Sequence, residues 1–449
     1  MSTTSADPYE ALLAFGLLQP ARQRTEMLAA LAEVGPAAAA DLLFRHKIST
    51  MARATALRLA DQGGEHRELL VELADRITAR AAVMADRWAS SAAVGAAVTR
   101  FAEEEGITWW TMKGFSFRPL YPAGTVRDVG DLDVLVGTVD DAWRLARRLR
   151  ADGYIYLDIE LPWFKRDLRT GELYGQIRLT TAERNRLSID IHAGPYSVRH
   201  CGLMPLGRTA GGGGTPGGPV AFEDDIAAVV ANAAGDRFIT AKAVNDLLLS
   251  LDRAPDARYL HETLDAAGLL PFLATCLGRV TAWCELTADQ AQALAALLPD
   301  VAAEPVPPVD RADPAERCEI TVAHARETAL RVLGLPPERA DAVAASAREA
   351  YGKDHPLQVV PDAEAQPVDW AGLNNWTCVR LVPVELAAAL VEPGAAAASA
   401  GRGEASALSE EMVREETGGG TLIRAIGDSF VPTVDFALPA GLVAAAARG

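Results

Sequence analysis

Apolar residues recur three and four positions apart through most of residues 8–105, in "EALLAFGLL", "TEMLAALAEV", "ELLVELADRITARAAVMADRW" and "AAVGAAVTRFAEEEG". That spacing predicts a run of helices. The pattern changes at Gly106, where "ITWWTMKG" is short, β-branched and aromatic and ends in glycine, as a strand does on entering a turn. A loop of turn residues, "FSFRPLYPAGTVRDVG", then leads into "DLDVLV", where polar and apolar positions begin to alternate. Asp140 and Asp141 stand where a helix starts, and "AWRLARRLRADGY" keeps helical spacing up to Gly153. Residues 154–195 read as several strands and end on a second alternating segment, "RLSIDIHAG".

Beyond it, "GRTAGGGGTPGGP" has the composition of a linker, and Glu223 to about Leu298 returns to helical spacing. "EPVPPVDRADP" marks another boundary. Helical segments follow up to Tyr351, then "DWAGLNNW", an Ala/Gly/Ser-rich stretch near 393–407 expected as a linker, and the strand-like "TLIRAIGDSFVPTVDFALP". The expected fold class is α+β, with a small mixed sheet flanked by N-terminal and C-terminal helical regions. Residues 1–105 form the N-terminal helical region, with no chemistry of its own. Residues 106–206 form the core, 207–222 a glycine-rich linker, 223–300 a helical region packing on the core, and 315–449 a region without an assigned role.

The alternating segments carry the chemistry. In "RDVGDLDVLV" Asp131 and Asp133 project to one face of a strand, while Leu132, Val134 and Val136 point into the core. Two adjacent carboxylates repel, and a divalent cation relieves the repulsion; oxygen ligands of this kind favour Mg²⁺. In "LSIDIHAG" Asp190 stands on the polar face of another strand, from where it can join the first two. Phosphates need cations and free N–H groups. Lys113 and Gly114 lie at a strand end where glycine lets the backbone approach a triphosphate, and Ser116 adds a hydroxyl. Arg118 and Arg127 flank the loop leading to the aspartates, and Arg127 is the better placed to grip phosphate oxygens as a fork. Each has a plain structural alternative: Asp131 capping a turn, Asp133 paired to Arg127, Ser116 as a turn residue. Lys242 and Asp246, four apart, read first as a helix salt bridge. His192 reads as a hydrogen-bonded structural histidine, and Trp109 and Trp110 as core and interface rather than a base-stacking platform.

The order of these features resembles the DNA polymerase β-like nucleotidyltransferase superfamily: a strand, a glycine with a nearby serine, a loop, D-x-D on the next strand, then a later lone aspartate. More narrowly, "TMKGFSFRPLYPAGTVRDVGDLDVLV", "IDIHAG", "LLFRHKIST" and "AKAVNDLL" resemble a bacterial family of uncharacterised nucleotidyltransferases over roughly residues 1–290. Where the superfamily has a Gly-Ser or Gly-Gly doublet, this chain has Gly114-Phe115-Ser116. The resemblance implies that Asp131 and Asp133 bind two Mg²⁺ ions, that Asp190 completes the catalytic ion and helps deprotonate the acceptor, and that Lys113 and Arg127 hold the triphosphate of an NTP, ATP by default. The acceptor is then a small molecule or peptide, with a biosynthetic tailoring step as the setting. A protein-modifying (AMPylating) enzyme of toxin–antitoxin type and a catalytically dead binding scaffold are the alternatives.

Composition narrows the partners. A formal net charge of −17 argues against a broad nucleic-acid surface, which needs a basic stripe. No apolar run reaches the roughly 20 residues that span a bilayer, and the N-terminus lacks the pattern of a secretion signal, so a cytoplasmic protein without membrane contact is expected. Five cysteines without a C-x-x-C pair fit reduced thiols, and the spacing of His192, His200 and Cys201 matches no metal motif. "IGDSFVPT" is similar to the serine box of signal-peptidase-like proteases. No lysine follows Lys353 to serve as base, so Ser429 is assigned no catalysis.

Overall fold

A computed structural model describes residues 7–156, 161–182, 187–194, 196–197, 203–204, 206–306, 314–331, 334–351, 357–390, 402–417 and 420–447. Its centre is a mixed sheet of eleven strands among the described residues. Six come from the middle of the chain: β1 (Trp109–Met112), β2 (Asp131–Val136), β3 (Ile155–Tyr156), β4 (Trp163–Arg166), β5 (Leu173–Thr180) and β6 (Ser188–Ala193). Five come from the C-terminal part: β7 (Val379–Pro383), β8 (Arg402–Ala407), β9 (Met412–Thr417), β10 (Gly420–Ala425) and β11 (Asp428–Thr433). The order across the sheet is β1-β2-β6-β5-β4-β7-β11-β10-β9-β8, with β3 also on β5. Within this sheet, among the described residues, only β2 and β6 pair in parallel. Their connection contains the helix Val139–Ala151, as a parallel pair requires.

That helix shows why local sequence settles local structure. Thr138 caps it by accepting from the Asp141 amide at 3.0 Å. Asp140 and Asp141 lie in its first turn and Arg148 and Arg150 in its last, each favourable to the helix dipole. Its stripe of Val139, Ala142, Trp143, Ala146 and Leu149 packs on Leu132, Val134, Val136, Ile189 and Ile191, one apolar face of the sheet. The other face is roofed by the helices Phe222–Asp236 and Ala241–Leu251, which are buried nearly all round. The polar residues of β2, β5 and β6 therefore face a cavity between sheet and roof.

The small sheet flanked by helices is corrected. β4 would leave a row of N–H and C=O groups bare at the edge of a six-strand core. β7 covers it, pairing Val379 with Phe164 and Arg380 with Trp163, and four further C-terminal strands continue outward. Of the linker expected near 393–407, residues 402–407 form β8; residues 391–401 lie outside the described set. The β8–β9 turn is held by Asp140, which accepts from the amides of Glu410 at 3.2 Å and Glu411 at 2.9 Å. Residues 207–222 run against β1: the Thr111 amide donates to Gly218 O at 2.7 Å, and the Val220 amide to Thr111 O at 2.9 Å. Cys276, Cys284, Cys318 and Cys378 are free thiols; His200 and Cys201 fall outside the described residues. Among the described residues no single helix is long and apolar enough to cross a membrane.

Asp128, the first aspartate of "RDVGDLD", serves the fold. Its carboxylate accepts from the amides of Ser49 at 2.8 Å and Thr50 at 3.0 Å, the opening residues of the helix Ser49–Asp61. These donors would otherwise be orphans at a buried helix start. Asp128→Ala is expected to cost about 1–3 kcal/mol, read by urea denaturation.

Candidate active site

Alternation on β2 puts Asp131 and Asp133 on the cavity face. The parallel register then sets Asp190 of β6 directly beside Asp133, and the antiparallel register of β5 sets Arg178 beside Asp190. Asp133, Asp190 and His192 offer ligand atoms that all lie within 4.8 Å of one another, and all three residues are buried. Asp131 is more exposed and turns to Arg178, whose Nη2 donates to its Oδ2 at 2.9 Å. Arg178 Nε also lies 3.0 Å from Asp190 Oδ1, and Gln176 Nε2 donates to Asp190 Oδ2 at 2.8 Å.

Asp133 is the hub. Lys113 Nζ is 2.6 Å from its Oδ1, and His192 Nε2 is 3.0 Å from the same atom. Burial alone would raise the Asp133 pKa, but the Lys113 ammonium and the His192 hydrogen bond outweigh it and hold the carboxyl well below its usual range. An ionised carboxylate only accepts, so His192 Nε2 carries the hydrogen and donates. Burial lowers the His192 pKa and keeps the ring neutral, against the raising influence of its bond to Asp133. Asp190 is pushed well up, chiefly by burial and further by Asp131 and Asp133, despite Arg178. Adjacent strands thus hold one carboxylate that keeps its charge and one that binds a proton readily.

The end of the cavity nearest β1 is basic. Lys113 sits at φ 53°, a left-handed turn, and its amide donates to Asp225. Gly114 opens the short helix Gly114–Phe117, and an added Cβ would lie 2.9 Å from Arg127 Nη1, so a side chain there would displace the guanidinium. Ser116 Oγ donates to Thr111 O at 3.3 Å and also bonds Asp225, so its hydroxyl serves the turn. Arg127 is buried and committed to Asp246 as a fork, Nε to Oδ1 at 2.8 Å and Nη2 to Oδ2 at 2.6 Å. Tyr121 OH also donates to Asp246 Oδ1 at 2.8 Å.

The expected Lys242–Asp246 helix pair is therefore replaced by Arg127–Asp246, because the arginine fork saturates that carboxylate. Lys242 and Lys47 both line the cavity, and neither makes an ion pair or side-chain hydrogen bond with another described residue. Burial first, then Arg127 and Lys47, bring the Lys242 pKa down to about 7.

The cavity holds about 380 Å³. It brings together Lys113, Gly114, Arg127, Asp131, Asp133 and Asp190, whereas Ser116 is not among its lining residues. Sequence reasoning missed Lys47, Gln176, Arg178 and Arg380, all of which line it. Lys47 gives the N-terminal helical region a share in the site. For Arg178 and Gln176 the signal was present: they alternate with apolar Ile177 and Leu179 on a strand, as Asp190 does with Ile189 and Ile191.

The residues fit a divalent cation. Carboxylate oxygens are hard donors, and the buried Asp190 Oδ1 has Arg178 Nε 3.0 Å away but accepts no aligned hydrogen bond from a described residue. The side chains of Lys113 and Arg178 meanwhile supply the positive charge that the carboxylates need. Asp133 and Asp190 are the best-placed ligands, with Asp131 at the rim. His192 is engaged as the donor that orients Asp133.

Compared with known proteins, residues 33–285 match the sequence profile of a family described as uncharacterised nucleotidyltransferase. No curated protein and no solved structure matches the chain. The matched span contains the helices around Lys47, strands β1 to β6 and the roof helices; the five C-terminal strands lie outside it.

Proposed function

The chain belongs to this family of uncharacterised nucleotidyltransferases, and we propose that it moves an NMP group from an NTP to a hydroxyl or phosphate of a small molecule or peptide. The observation that carries the reading is the register of Asp133 against Asp190 on the cavity face, with Lys47 and Lys242, which pair with no other described residue, at one end. The order of strand, glycine turn, D-x-D strand and later aspartate supports a polymerase β-like arrangement. Mg²⁺, two ions by that resemblance, would neutralise the carboxylates of Asp131, Asp133 and Asp190 and offset charge developing on the phosphates.

The chain's own residues do the rest. Lys47 and Lys242 receive the triphosphate, and Gly114 lets it approach the backbone. Lys113, released from Asp133 once that charge is otherwise met, serves the leaving phosphates. Asp190, set beside Asp133 on the cavity face, takes the proton from the acceptor hydroxyl. The acceptor oxygen forms a bond to the α-phosphorus, the bond from that phosphorus to the α–β bridging oxygen breaks, and pyrophosphate departs. A recessed cavity of about 380 Å³, lined by sheet and roof helices, favours a small acceptor over a folded protein partner. The scaffold alternative predicts that Asp190 stands apart from the other carboxylates and that no Mg²⁺-dependent nucleotide binding occurs; the register of Asp190 beside Asp133 favours the enzyme.

Calorimetric titration of ATP, GTP, CTP and UTP, with Mg²⁺ and with EDTA, tests the reading. Mg²⁺-dependent binding of a nucleotide, lost in Asp131→Asn/Asp133→Asn, supports it; binding of none removes it. Lys47→Ala and Lys242→Gln are each expected to weaken that binding about tenfold, the loss of one charge-assisted contact. Binding also carries a proton signature. A phosphate beside Lys242 favours its charged form, raising a pKa that starts near 7. At pH 8 the protein should therefore take up a proton with the nucleotide, seen as buffer-dependent binding heat, and Lys242→Gln should abolish the uptake.

A further inference from the structure

The cavity has a second basic end that the family match does not cover. β7 carries Arg380 to the cavity wall three strands from β6, roughly 14 Å at about 4.8 Å per strand, on the side away from β1. The register places Trp163 beside Arg380, Gln176 beside Trp163 and His192 beside Gln176, one row on the cavity face. Arg380 is 7% exposed, yet makes no ion pair or side-chain hydrogen bond with another described residue. Its guanidinium lies over the Phe436 ring, 4.4 Å from the centroid. Asp435, next to Phe436 in the chain, accepts at Oδ1 from Thr433 Oγ1 and from the Ala437 amide, both at 3.1 Å.

A buried guanidinium without a carboxylate costs free energy unless an anion completes it. Phe436 strengthens the case. It sits at φ 62°, a conformation rare for a bulky side chain, and that backbone brings its ring under Arg380. The ring holds the planar fork in place and leaves its edge for a bidentate partner. The Mg²⁺-fitting carboxylates thus lie between two basic ends. Lys47, Lys113 and Lys242 stand at one end, and Arg380 at the other.

We propose that Arg380, stacked on Phe436 beside Trp163, forms an acceptor subsite that selects acceptors carrying a carboxylate or phosphate group. The C-terminal strands, outside the matched span, then set which molecule receives the nucleotide. The proposal rests on the nucleotidyl-transfer reading above and adds the class of acceptor.

The test uses the full chain with its nucleotide end filled by Mg²⁺ and a non-hydrolysable α,β-methylene NTP. Methyl phosphate and acetate serve as probes, followed by saturation-transfer NMR. Wild type should bind at least one probe, and the stronger of the two identifies the acceptor's anion. Arg380→Gln should weaken that probe at least tenfold while nucleotide affinity stays within twofold; Arg380→Lys, which keeps the charge and loses the fork, should give a smaller loss. If Arg380→Gln does not fold, Arg380→Lys decides: probe affinity lowered about threefold or more, with nucleotide affinity within twofold, supports the subsite, and unchanged probe affinity overturns it. Nucleotide bound normally with neither probe bound, or with probe affinity unchanged in the variants, overturns the subsite alone. A tenfold loss of nucleotide affinity in Arg380→Gln assigns the arginine to the donor and also overturns it. Failure of wild type to bind any nucleotide removes the underlying reading, and the subsite with it.

Discussion

Asp133→Asn is expected to lower nucleotidyl transfer by about a thousandfold or more while the protein stays folded. Asp133 meets Lys113 at 2.6 Å and His192 at 3.0 Å and lies in register with Asp190. Asparagine matches its shape and can still accept from His192, so the sheet has no reason to rearrange. What disappears is the charge. A cation held by Asp131, Asp133 and Asp190 would lose one of its three anionic ligands, and Lys113 no longer has a carboxylate to hold it in position. Asp190→Asn should cost about a hundredfold to ten-thousandfold, as expected for loss of a general base. Turnover of the variants, with circular dichroism as the folding control, checks both. Activity of Asp133→Asn within tenfold of wild type would contradict the assignment.

The second large effect is on stability. Arg127→Leu is expected to destabilise the protein by about 3–5 kcal/mol, because it leaves Asp246 buried without its cation. Burial would weaken the hold of Arg127 on its proton, and Asp246 more than reverses this, so the pair is mutually dependent. Tyr121 alone, donating at 2.8 Å, does not replace a charge. The double variant Arg127→Leu/Asp246→Leu should recover much of the loss, since a matched apolar pair carries no orphaned charge. Chemical denaturation of the three variants gives the cycle. Nucleotide titration of the double variant then separates the two roles of Arg127. Near-normal binding would make it a strut beside Gly114, and a further loss would restore it as a phosphate ligand.

The site was legible where alternation settles direction. Asp131, Asp133 and Asp190 each interrupt an apolar strand at period two, and burial of Leu132, Val134, Ile189 and Ile191 fixes which face they show. Their register was not legible, because it depends on how the helix Val139–Ala151 returns the chain to lie parallel to β2. Arg127 looked available from its neighbours in sequence; its partner Asp246 lies 119 residues on, beyond any local pattern. Lys47 was hidden by the regularity of the helices around it. The size of the sheet escaped because "VRLVP" is a five-residue strand whose place beside β4 is a long-range pairing. Ser429 accepts from Arg424 Nη1 at 2.8 Å on β11, an ordinary cross-strand contact.

The most direct test of the account follows the label. The protein is incubated with Mg²⁺, a small-molecule and peptide extract, and the NTP it binds, labelled at either the α- or the γ-phosphate. The account predicts that α-label enters an acceptor, that γ-label leaves as pyrophosphate, and that EDTA or Asp133→Asn stops both. Transfer of the γ-label to the acceptor, or α-label transfer that continues in EDTA, would contradict it.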